Sequence, residues 1–70
     1  MSTVYILADK PTKPGSLLEA FDAVDEAFGT GEFSEEQAVS AVALGMSVPD
    51  TRASQLFRDL IQQDFISETE

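Results

Sequence analysis

Thirteen carboxylates, four basic side chains and no histidine or cysteine set the chemistry open to this chain. No Ser–His or Cys–His pair can form, no thiolate can attack, and no imidazole can move a proton. A zinc site would have to be built from carboxylates alone. Glu19, Asp22, Asp25 and Glu26 stand at i, i+3 and i+4 distances, which places them on one helix face. They could attract a weakly held cation. No His, Lys or apolar pocket accompanies them to poise a proton transfer, so they read as a solvated acidic face. No catalytic residue, metal or cofactor is expected, and the chain reads as a binding protein and not an enzyme.

Two loop motifs are incomplete. Residues Glu26 to Gln37 place Gly31 at the sixth position of a calcium loop, but Phe28 and Gln37 occupy positions that need oxygen ligands. Gly29-Thr30-Gly31 lacks the third glycine, the preceding strand and the lysine of a phosphate loop. The informative stretch lies later. Arg52, Gln55, Asp59 and Gln62 are expected on the outward face of one helical segment, with Thr51, Ser54 and Arg58 at its borders. Arg, Gln, Ser and Thr are the types that reach DNA phosphates and base edges.

The elements that must position those residues follow from spacing. Residues 3–8 are rich in β-branched and aromatic types and end at Asp9-Lys10-Pro11, which gives a strand and then a loop with two prolines. Apolar residues on both faces of that strand leave neither face suited to water. Ser16-Leu17-Leu18-Glu19 has the form of a capping box. Leu17, Leu18, Phe21, Val24 and Phe28 follow at helical spacing, widened by Ala20, Ala23 and Ala27, to a left-handed stop at Gly29. Residues 30–33 connect. Ser34-Glu35-Glu36-Gln37 is a second capping box, and the helix runs through Ala38, Val39, Val42, Ala43 and Leu44 to Gly45. Its small side chains predict close approach to a neighbouring helix. Met46-Ser47-Val48 turns the chain, and Pro49 suits a first helical position. Ala53, Leu56, Phe57, Leu60 and Ile61 then form an apolar stripe. Asp64 suits a left-handed exit, and Phe65-Ile66-Ser67 reads as a last strand.

The expected fold is mainly α with a small β component, in the order β-α-α-α-β, one domain over residues 1–70. Pairing the first strand with the last closes a two-stranded sheet on three helices. The helix pair from Ser34 to Gln63, with its short turn and the strand that follows, resembles the winged helix-turn-helix family over roughly residues 17–68. The chain departs from that pattern by lacking a second wing strand, whose place the first strand can fill. The resemblance implies a winged-helix-like bundle whose third helix enters the major groove of double-stranded DNA, and hence a transcriptional regulator.

Charge bears on that expectation. Residues 16–46 hold seven carboxylates and no basic side chain, whereas residues 47–63 are neutral overall. A net charge of −9 on 70 residues destabilises a folded chain by self-repulsion, and screening lengths near 3 Å at about 1 M salt remove most of that penalty. This acid-rich, lysine-poor composition resembles that of haloarchaeal proteins. The alternative reading is an acidic interaction module of the same fold that binds a basic protein and no nucleic acid. The longest apolar run, Val4 to Ala8, is far below the ~20 residues of a membrane span, and no signal-peptide pattern precedes it, so a cytoplasmic protein is expected. A domain this small buries only about 60% of its unfolded surface and has no disulfide. A homodimer through Tyr5, Leu7, Phe65 and Ile66 is the expected remedy.

Overall fold

The computed structural model describes residues 3–69. The order is β1 (Val4–Leu7), α1 (Ser16–Phe28), α2 (Glu35–Met46), α3 (Asp50–Gln62) and β2 (Ile66–Thr69). The fold is mainly α with a small β component, and the two strands pair antiparallel, Val4 opposite Thr69 and Leu7 opposite Ile66. No described helix is long and apolar enough to cross a membrane.

Helix α1 starts without the capping box expected at Ser16. Gly15 is the cap residue, at φ 152°, and no side chain caps the helix. That backbone region favours glycine. It brings the chain off Pro14 so that Ser16 is already helical, where its hydroxyl is not placed to cap. The Glu19 N–H instead bonds the Gly15 carbonyl at 3.1 Å. At the other end Gly29 has the expected positive φ, 59°, but with ψ −124° it lies outside the left-handed helical region.

Helix α2 has the capping box read from Ser34 and Gln37. The Ser34 hydroxyl accepts from the Gln37 N–H at 3.2 Å, and the Gln37 side chain accepts from the Ser34 N–H at 2.9 Å. Glu35 and Glu36 complement the positive helix start. The helix does not stop at Gly45. It continues to Met46, and Ser47 takes the left-handed conformation, φ 56° and ψ 48°. Gly45 serves packing instead. A Cβ there would lie 2.7 Å from the Ala23 Cβ, so the glycine marks a close approach of α1 and α2.

Ser47, Val48 and Pro49 join α2 to α3, and Pro49 is the cap residue with Asp50 first in the helix. Ala53, Leu56, Phe57 and Leu60 are buried, and Ile61 is half-buried. The exit at Asp64 has φ 64°, as expected. The Asp64 N–H bonds the Ile61 carbonyl and the Phe65 N–H bonds the Leu60 carbonyl, the paired closure of a Schellman motif. Phe65 is spent on that closure, so β2 begins at Ile66 and runs to Thr69 rather than spanning 65–67.

Phe33, expected only as part of a connector, is a structural residue. It exchanges two backbone hydrogen bonds with Tyr5, at 2.8 and 3.0 Å, on the side of β1 away from β2. Its ring is 1% exposed and stacks on Phe28 at 5.3 Å. β1 is therefore central, between β2 and the Phe33 bridge. Tyr5 and Leu7 turn to the helices, where Tyr5 meets Phe57 edge-on at 5.1 Å. Strand alternation sends Val4 and Ile6 to the other face.

Candidate nucleic-acid interface

Helix α3 buries one face and leaves another in water because its apolar residues recur at 3.6-residue spacing. Thr51, Gln55, Arg58 and Gln62 recur at i, i+4, i+7 and i+11 and are all exposed. They form the outermost stripe of α3, with no carboxylate among them. Arg52 is also exposed but sits on the flank, beside Asp59. Ser54 is half-buried on the opposite flank. Five of the six residues singled out from the sequence thus lie in solvent, four of them in one line.

The two flanks differ in charge. On one, Thr51 and Ser54 line a groove shared with Glu35, Glu36 and Asp50 at the starts of α2 and α3. These carboxylates repel a phosphate. On the other flank, Arg52, Leu56, Asp59 and Gln63 line a groove closed by the loop before α1, which contributes Lys13. Lys13 and Arg52, 39 positions apart in sequence, thus share one groove. Among the described residues the one ion pair is Lys10 with Asp22, at 3.4 Å and largely exposed. Lys13, Arg52 and Arg58 are unpaired there, and their charge is available to a ligand. Spacing along a chain carries no information about which helix a proline-rich loop will cover, so the sequence alone does not bring Lys13 to α3.

The residues expected at a dimer contact are placed differently. Ile66 is 1% exposed, and Tyr5, Leu7 and Phe65 pack on the protomer's own core. The register decides this: Leu7 stands opposite Ile66, and that pair turns towards the helices. Val4 and Ile6, half-buried like Tyr5 and Leu7, alternate to the other face of the sheet and are not among the residues packed on the core.

Among the described residues no three acidic side chains converge as a metal site would require. Comparison with family models, curated proteins and solved structures finds no match to this chain.

Proposed function

We propose that this protein is a small winged-helix-like DNA-binding protein, a cytoplasmic transcriptional regulator and not an enzyme, with α3 as the helix that enters the major groove. The observation that carries this reading is the exposed stripe Thr51, Gln55, Arg58 and Gln62, free of carboxylates on a chain of net charge −9. Gln and Arg are the side chains that pair with two atoms of adenine and guanine edges. Arg52 and Lys13 stand beside the stripe, where phosphates would pass. Helices α2 and α3 are joined by three residues, as a helix-turn-helix requires. β1 lies against β2, in the sheet place that a second wing strand takes in the family the sequence resembles.

Three cations per protomer give weak phosphate contact, with a salt slope of about −2.7. A homodimer would double it, and the outward Val4 and Ile6 are where we place the second copy. The long-range repulsion between DNA and the acidic helices is cut off within ~8 Å at physiological ionic strength.

Fluorescence anisotropy of a labelled duplex, titrated across salt, tests the reading. Arg58→Ala and Arg52→Ala should each weaken binding and flatten the salt slope by about one unit per protomer, with folding unchanged. No binding by the parent protein at any salt would reject DNA. It would favour a basic protein partner, a reading that the carboxylates flanking Thr51 and Ser54 support.

A further inference from the structure

Leu44 is the one large hydrophobic side chain that lies open among the described residues, at 80% exposure. It sits on α2 and does not stand alone. Ala41, Ala27 and Phe28 line the same shallow, open groove between α1 and α2, with Gln37 and Glu36 further along it. Ala27 is exposed, and Ala41 and Phe28 are half-buried. From the Ser34 cap to Leu44 the groove follows the first ten residues of α2, about 15 Å, or nearly three turns. Its small side chains let the backbone of an incoming helix approach closely, as Gly45 and Ala23 already do for α1 and α2.

Charge decides what can lie there. The two helices that form the groove, with the loop between them, carry seven carboxylates and no basic side chain. A twofold contact of two copies through this face would bring both sets together. DNA and an anionic lipid surface are repelled for the same reason. A cationic segment is attracted, and an apolar side chain on it would find Leu44 uncovered beside half-buried Phe28.

We propose that the α1–α2 groove docks a cationic amphipathic helix of a partner protein, anchored by an apolar side chain against Leu44. This surface is separate from the α3 stripe, since no α3 residue lines the groove, and it does not depend on the DNA reading. The mode is that of a helix laid into a groove, with affinity from the apolar anchor and attraction from Glu36 and the other carboxylates of α1 and α2.

The test uses the full chain, isotope-labelled, titrated with two synthetic peptides of identical Lys and Leu composition. In one the leucines form a helical stripe; in the other they are scattered. The striped peptide should bind about tenfold more tightly or better, the size expected for one buried apolar anchor, and shift the amides of Ala27, Gln37, Ala41 and Leu44. Leu44→Ser should remove that advantage while the thermal melt stays unchanged, because the side chain is outside the core. Duplex binding should be the same in Leu44→Ser as in the parent, which separates failure here from failure of the α3 reading. Equal binding of the two peptides, shifts that map elsewhere, or undiminished binding by Leu44→Ser would each overturn the proposal. So would a peptide-free dimer that Leu44→Ser dissolves, which would give the face to a second copy.

Discussion

Phe57 belongs to the core that the helices and the sheet share. It is fully buried, and its ring meets Tyr5 at right angles. Removing a buried phenylalanine side chain costs about 3–5 kcal/mol, as much as a 70-residue core without a disulfide supplies. Phe57→Ala is therefore expected to leave the chain largely unfolded in dilute buffer, read as loss of the cooperative urea transition. A sharp transition near the parent midpoint would show that the ring is dispensable. Arg52 and Arg58 lie at the opposite extreme. Both are exposed, and removing either should move binding without moving the melt. A 3.6-residue period sorts buried from exposed positions by itself, but it puts Arg52, Gln55, Asp59 and Gln62 on the expected outward face, whereas the outermost line is Thr51, Gln55, Arg58 and Gln62, with Arg52 and Asp59 on the flank.

At the scale of the element, two sequence motifs of the same form behave differently. Ser34 and Gln37 exchange both hydrogen bonds of a capping box, while Ser16 makes no cap bond. Ser34→Ala should cost about 1 kcal/mol of stability. Ser16→Ala should change it by less than about 0.5 kcal/mol. Urea denaturation of the two variants side by side checks the contrast, and equal losses would contradict it. The reason the two could not be told apart in sequence is Gly15, whose unusual backbone shifts the start of α1 by one residue. Gly45 gives a second element-scale test. On helix propensity alone Gly45→Ala should stabilise by up to about 1 kcal/mol. The new methyl would stand 2.7 Å from the Ala23 Cβ, and forcing α1 and α2 apart costs about 1–3 kcal/mol. The expected sign is destabilising, and a raised melting temperature would show that the helices can separate without penalty.

Across the whole molecule, charge outweighs the other influences on stability that solvent can change. Thirteen carboxylates face four bases, the one ion pair among the described residues is exposed, and exposed pairs contribute little. Self-repulsion is therefore uncompensated in low salt. The melting temperature should rise by several degrees, about the effect of 1 kcal/mol on a domain of this size, between ~10 mM and ~1 M salt, where the screening length falls from roughly 30 Å to 3 Å. A flat melting temperature across that range would contradict the haloarchaeal reading of the composition. Association should follow the same dependence. If two copies meet through Val4 and Ile6, light scattering should show dimers growing in with salt, and Ile6→Glu should abolish them while the monomer stays folded. A monomer at high protein concentration in molar salt would remove the dimer.

Local sequence was enough to read the three helices, their order between two strands, the pairing of those strands and the apolar face of α3. Each follows from interactions within a few residues or from a hydrophobic period, and the sheet followed because two short strands are unstable unless they pair. Long-range packing settled what depends on distant parts of the chain. Phe33 became a sheet partner because Tyr5 presents its N–H and carbonyl there. Tyr5 and Leu7 turned inward because one face of a two-stranded sheet must cover Phe57 and its neighbours, leaving Val4 and Ile6 outside. Lys13 came beside Arg52 because the proline-rich loop crosses α3. Leu44, which helical spacing alone assigns to the body of α2, was left in water because α1 packs against Gly45 and not against it. Periodicity fixes which residues share a helix face, but the neighbours that arrive from elsewhere in the chain determine how much of that face is covered.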